Sequence, residues 1–303
     1  MKEAVAFAPG HVTGFFQILD NEINRLESGS RGAGVSIKKG VLTRVKVEEA
    51  SDLSFNIKIN GEVAEGAVVS ETVLKMFFSK IGKASYNVSV FHEVSVPIGC
   101  GLGSSGAAAL SLGLALNKVF SLGFSFMEVA QMAHLAEIEC KTGLGSVIAE
   151  TFGGFEVRVK AGAPGFGEVR RIPIDDGYRM VFLNFGHLST QRFLSDERFR
   201  RRINELGGDC VDKLVLKPSP ELFMRLSRAF AEHVGLISEK IRRVLDETDK
   251  LGIVCSMPMF GEAVFTLVKE DLVDKVLNVF RLHAESEGSI IVSEIDFEGA
   301  RLL

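Results

Sequence analysis

Two hydrophobic rhythms alternate along this chain of 303 residues. Short β-type runs at 35–37, 42–47, 53–59 and 86–94 predict strands, with Lys39-Gly40 and Asn60-Gly61 as turn signals beside them. Val68, Val69, Val73, Met76, Phe77 and Ile81 recur at helical spacing. Residues 106–116 are apolar or small on every side, which predicts a buried helix. Ser125 and Glu128 form a capping box that opens another helix, with Val129, Met132, Ala133, Ala136 and Cys140 as its apolar stripe. A strand returns at 152–159, and the turn-rich stretch 161–173 marks a boundary between domains 1–173 and 174–303. Beyond it the pattern reads strand (179–185), helices (192–206 and 221–251), strands (253–257 and 263–268), helix (271–287) and strand (290–297). That β-α-β-β-α-β order predicts a ferredoxin-like sandwich, and the chain as a whole an α+β protein of two domains.

Composition excludes several classes. Apolar residues make up 46% and charged residues 24%, as in an ordinary globular protein. A net charge of −4 without a basic run argues against nucleic-acid binding. Residues 106–116 are too few to span a bilayer, and Pro9-Gly10 interrupts the N-terminus before a signal-peptide core could form. Cys100, Cys140, Cys210 and Cys255 have neither disulfide nor metal-ligand spacing, as expected of reduced thiols in the cytoplasm. The expected partner is a small molecule. No oligomeric state is set, and a homodimer stays open.

The most informative segment is 97–109, Pro-Ile-Gly-Cys-Gly-Leu-Gly-Ser-Ser-Gly-Ala-Ala-Ala. Gly99, Gly101 and Gly103 free the backbone to reach positive φ. Ser104 and Ser105 follow, and then the small-residue helix. A strand, a glycine loop and a helix N-terminus together aim N–H donors and a positive dipole at one point, which suits a phosphate. The Walker pattern does not fit, because no Gly-Lys-Ser/Thr closes the loop. Gly101-x-Gly103-x-x-Gly106 matches the dinucleotide fingerprint, but the acid wanted about 20 residues on falls at the start of the second helix. A tight turn packing a small helix on a sheet would not need two serines.

Pro97 to Ala107 resembles the phosphate loop of the GHMP kinases. Ala8-Pro9-Gly10-His11 is similar to their Ala-Pro-Gly-Lys segment, and 255–265 to their second glycine-rich segment. His11 in place of lysine, Gly29-Ser30-Arg31-Gly32-Ala33-Gly34, Lys141-Thr142-Gly143-Leu144-Gly145 and Gly162-Ala163-Pro164-Gly165 narrow the resemblance to the archaeal branch that phosphorylates pantoate. It spans nearly the whole chain. It implies a ribosomal-S5-like N-terminal domain, a ferredoxin-like C-terminal domain and an active site between them. It also implies ATP bound by Pro97, Gly99, Gly101, Leu102, Gly103, Ser104, Ser105, Gly106 and Ala107.

His134 and Glu137, three apart on one helix, are neighbours, whereas Glu139 points away. Periodicity alone would make theirs a solvated face. The resemblance implies instead that Ser104 or Ser105, with Glu137, holds Mg²⁺, a hard cation served by oxygen ligands. Related kinases read Gly-Leu-Gly-Asp-Val where this chain has Gly143-Leu144-Gly145-Ser146-Val147. Ser146 thus occupies the place of the catalytic aspartate, and a neutral hydroxyl cannot take a proton as a carboxylate can. Either the chain is a slower kinase that relies on positioning, or it binds without catalysis. Glu150 could substitute only where the backbone is helical. At the substrate end, a carboxylate calls for a guanidinium fork. Strand alternation puts Glu156 and Arg158 on one face. The resemblance implies substrate contacts at Ser30, His134, Arg158 and Thr190, with Ser189 as the alternative to Thr190 and Arg31 adjacent.

Overall fold

The computed structural model describes residues 2–20, 23–82, 85–187, 195–284 and 288–303. Two antiparallel strands dominate, β1 (Lys2–Leu19) and β2 (Gly29–Glu49). They pair along almost their whole length, with register shifts at Pro9/Gly10 and Thr13/Phe15. The predicted strands 35–37 and 42–47 are therefore two parts of one element. Ala4, Ala6 and Ala8 alternate with less buried residues, as on a sheet covered on one side. From Ala8 to Val12 burial is continuous, because both faces are covered there.

The first sheet runs β11-β1-β2-β5-β3-β4, where β3 is Ser54–Ile59, β4 Glu62–Val63, β5 Tyr86–Val94 and β11 Arg301–Leu302. Two more strands, β6 (Phe155–Lys160) and β7 (Glu168–Arg171), continue the sheet from the other half of β2. Three helices cover one face: α1 (Val68–Ile81), α2 (Ser104–Phe120) and α3 (Phe126–Cys140). α2 is buried on nearly every side, as its apolar run predicts. The capping box of Ser125 and Glu128 starts α3. A short helix, α4 (Ser146–Phe152), precedes β6, so the strand predicted from 152 begins at 155 instead.

The second sheet is antiparallel, in the order β10 (Ser289–Ser293), β8 (Tyr178–His187), β9 (Gly261–Lys269). Helix α5 (Glu197–Leu216) lies against β1, β2 and β6, whereas α6 (Pro220–Val234), α7 (Glu239–Lys250) and α8 (Glu270–His283) pack with the second sheet. The single helical pattern at 221–251 is two helices. Gly235, at φ 79°, ends α6, and the Ser238 side chain caps α7. The strand predicted at 253–257 shrinks to one bridge, Ser256 to Phe265.

One hydrophobic cluster joins Ala4, Ala6 and Ala8 with α1, α2 and α3. The other joins Val12, Phe15, Phe16 and Ile18 with β6, both edges of the second sheet and α5 to α7. β1 thus passes from one core into the next, and the register shifts mark the crossing. No helix among the described residues is long and apolar enough to cross a membrane.

Candidate active site

The site lies at that crossing. β5 leads into the glycine loop, where Gly99, Gly101 and Gly103 take φ of 74°, 80° and 66°. A side chain at any of them would be strained. At Gly103 a Cβ would also strike the Glu150 carboxylate. The loop is tied down on two sides. His11 N–H donates to the Leu102 carbonyl at 3.0 Å, and Gly101 and Gly261 leave no room for a Cβ between the loop and segment 258–261. α2 then opens at Ser104 without an acidic residue in its first turn, so its N-terminus keeps its positive potential.

The loop forms one wall of a cavity of about 440 Å³. Gly99, Gly101, Leu102, Gly103, Ser104 and Ser105 line it. Ser30, Thr142 and Ser146 face it from other walls, and Arg158 enters from β6. Pro97, Gly106 and Ala107 flank the loop outside this lining, with Ala107 in the core. α3 buries His134 and Glu137 and exposes Glu139. Glu137 accepts from Thr142 Oγ1 at 2.7 Å and from Ser105 Oγ at 3.2 Å. Burial pushes its carboxyl up to about 7 against those hydrogen bonds. The Ser105 hydroxyl beside the buried Glu137 carboxyl, with the cavity-lining hydroxyl of Ser104 next to it in sequence, makes an all-oxygen donor set that fits a hard divalent cation, whose charge would favour the ionised form of Glu137.

Arg158 is buried, and its Nη1 donates to Glu156 Oε1 at 2.5 Å. Its Nε has no partner among the described residues. β6 lies between β2 and β7, so this pair is interior and not an exposed strand edge. Two other candidates are turned elsewhere. His134 hydrogen-bonds the Ser28 carbonyl through Nε2 at 2.9 Å, and burial lowers it to about 4. Arg31 donates to the Val159 carbonyl at 3.0 Å and pairs with Asp212. Neither lines the cavity. Thr190 and Ser189 lie outside the described residues.

Comparison with known proteins decides the family. Residues 67–154 match the GHMP kinases N-terminal domain. A pantoate kinase of Methanocaldococcus jannaschii is 34% identical over 277 residues, covering 91% of this chain and 96% of that protein. One from Thermococcus kodakarensis is 35% identical over 276 residues, covering 89% of each. The chain belongs to the pantoate kinase family of the GHMP kinases. A solved structure described as a phosphotransferase related to the CoA biosynthesis pathway superposes with a TM-score of 0.86 at 31% identity, over 99% of this chain and 98% of that one. A mevalonate diphosphate decarboxylase from Staphylococcus aureus, at 16% identity and a TM-score of 0.75 over 100% and 98% of the two chains, shares the two-domain fold.

Within this family site stand two acids that the sequence named without a settled role. Glu156 is fully buried, accepts from Arg158 Nη1 and is hydrogen-bonded to His11 Nε2. Its place one strand period before Arg158 was the only available signal. Glu150 is also fully buried, and neither of its carboxylate oxygens has a partner among the described residues. Burial, then the nearby Glu137 charge, raise its pKa well above the ordinary carboxylate range. α4 supplies the helical backbone that puts Glu150 one turn from Ser146, but the carboxylate lies behind the loop, against Gly103 and Gly106. A Cβ at Gly143 would touch both Glu137 and the Ser146 hydroxyl, and one at Gly106 both Glu150 and that hydroxyl. Ser146 therefore stands between two buried carboxylates.

Proposed function

We propose that this kinase transfers the γ-phosphoryl group of ATP to the primary hydroxyl of pantoate, giving 4-phosphopantoate. One observation carries the reading. A single cavity joins a glycine loop built for phosphates to a buried guanidinium whose Nε–H has no partner among the described residues. The loop amides and the α2 N-terminus bind the phosphates of ATP. Arg158 and Ser30 hold the carboxylate of the acceptor, leaving its far end to face the loop. Loop and guanidinium line one cavity, so phosphoryl transfer would gain from positioning. Ser104, Ser105 and Glu137 would hold Mg²⁺, which would supply charge neutralisation at the phosphate oxygens. The four cysteines are free thiols, which supports a cytoplasmic location.

A coupled ADP-release assay with pantoate, mevalonate, homoserine and shikimate, beside ATP-binding calorimetry, tests the proposal. Turnover should be highest with pantoate. Faster turnover of another acceptor would reassign the substrate. ATP binding without turnover of any would mark a silent binder.

A further inference from the structure

Among the described residues lining the cavity, two side chains can ionise near neutral pH or carry charge there, His11 and Arg158. A guanidinium does not accept a proton. Position 146 offers only a neutral hydroxyl, Glu137 is taken up by the Ser105 and Thr142 hydroxyls and the cation site, and Glu150 lies behind the loop. His11 is the remaining acceptor, and its surroundings suit the task. Its backbone N–H holds it against the loop through Leu102. Its Nε2 lies 2.8 Å from Glu156 Oε1, the oxygen that also accepts from Arg158 Nη1. An oxygen that receives a guanidinium proton in a buried pair is a carboxylate acceptor, so the hydrogen of the imidazole sits on Nε2. That leaves the lone pair on Nδ1, which accepts from the Thr13 hydroxyl at 3.3 Å, a long hydrogen bond that an incoming hydroxyl would replace, and Thr13 itself lines the cavity. His11 thus bridges the phosphate loop and, through Glu156, the guanidinium that anchors the acceptor. On the phosphoryl-transfer reading, a hydroxyl on an acid held by Arg158 would lie in the cavity that His11 and the loop also line.

We propose that His11 is the catalytic proton acceptor of this kinase, and that Glu156 is the positioning residue that fixes its tautomer and ties it to Arg158. This rests on the phosphoryl-transfer reading above. The acceptor O–H bond breaks and its proton passes to His11 Nδ1. A bond forms from that oxygen to the γ-phosphorus. The bond from the γ-phosphorus to the β,γ-bridging oxygen breaks, and ADP leaves with the electron pair. The imidazolium, hydrogen-bonded to Glu156, later returns its proton to water. Burial lowers the His11 pKa, which keeps the ring neutral and ready at neutral pH, while Glu156 opposes that effect. The groups facing the ring are Glu156 and Arg158 from β6, Gly34 from β2, and Gly103 and Leu102 from the loop, with Glu150 of α4 across Gly103.

Two measurements test this. Nitrogen-15 NMR of the imidazoles should show His11 protonated on Nε2 in the parent and a mixture of tautomers in Glu156→Gln. Protonation on Nδ1 in the parent would overturn the proposal whatever the acceptor. In steady-state kinetics at saturating Mg²⁺ and ATP, His11→Gln should lower kcat by about 10²–10⁴-fold. It should also abolish the acid limb of the kcat profile while leaving the ATP KM nearly constant. Glu156→Gln, which keeps the shape of the side chain, should lower kcat less and raise the pantoate KM through Arg158. If His11→Gln keeps the parent kcat or its acid limb, His11 is not the base. Absence of pantoate turnover by the parent would fail the substrate assignment alone, because the NMR result still judges the dyad.

Discussion

Replacing Glu137 by glutamine should stabilise the metal-free protein at alkaline pH. The carboxyl titrates near 7 in the fold and near 4.5 when exposed, chiefly because burial disfavours its charged form. The folded state therefore holds this proton more tightly than the unfolded chain does. Stability from this group is whole below pH 4.5 and is lost as pH rises to about 7. At about 1.4 kcal/mol per tenfold, the loss comes to about 3 kcal/mol by pH 8. Glu137→Gln removes the ionisation. Glutamine keeps one acceptor for Ser105 or Thr142, so about 0.5–1.5 kcal/mol of hydrogen bonding is forgone. The net gain at pH 8 is roughly 1–3 kcal/mol, or several degrees in Tm. At pH 4.5 the gain vanishes. Urea denaturation of both proteins in EDTA at pH 4.5 and 8 measures this difference. Adding Mg²⁺ and ATP should then raise the Tm of the parent much more than that of the variant. A variant that loses stability relative to the parent as pH rises would refute the buried-carboxylate reasoning. Equal stabilisation of the two by Mg²⁺ and ATP would remove Glu137 from the cation site.

Three more outcomes are expected. Arg158→Lys keeps the charge but loses the fork, so the pantoate KM should rise by about 10–100-fold with the ATP KM within about twofold; equal pantoate KM values would show that Arg158 does not hold the acceptor. Gly103→Ala forces a side chain into a left-handed position against Glu150, and calorimetry should show weaker ATP binding beside a stability loss of about 1–3 kcal/mol. His92 and His134 are each lowered to about 4 by burial, so the stability they confer is whole above about pH 6.5 and is lost as pH falls to about 4, at most about 3 kcal/mol each. Glu137 runs the opposite way over an overlapping range, so the acid loss should be steeper in Glu137→Gln than in the parent, and parallel urea midpoints from pH 7 to 4 would contradict that.

Helix predictions succeeded where the signal was local. The capping box at Ser125 is set by two side chains three residues apart, and α3 starts where it says. The glycine loop is local as well, because positive φ at Gly99, Gly101 and Gly103 needs only the absence of Cβ. Boundaries failed where a neighbour overruled the pattern. Residues 221–251 stay amphipathic on both sides of Gly235, so periodicity carries through a stop that the glycine imposes. The predicted strand at 253–257 has the right residue types but finds one bridge to β9, and a strand exists only where a partner pairs with it.

The sequence by itself determined the chemistry available: a loop able to cradle phosphates, an arginine on a strand, oxygen ligands, and a serine in place of an aspartate. Alternation even put Glu156 and Arg158 on one face. It could not say whether that face was solvated. Charged side chains two apart look the same at an exposed edge and in a core, and the difference lies in β2 and β7 pairing on both sides of β6. Nor could it join His11 to Glu156, which are 145 positions apart. That contact exists because β1 and β6 both pair with β2, which brings residues from opposite ends of the N-terminal half side by side. The burial of Glu137 against Ser105 and Thr142, and of Glu150 behind the loop, was decided in the same way. A carboxylate's solvent is set by which helices pack around it, and packing is a property of the whole fold.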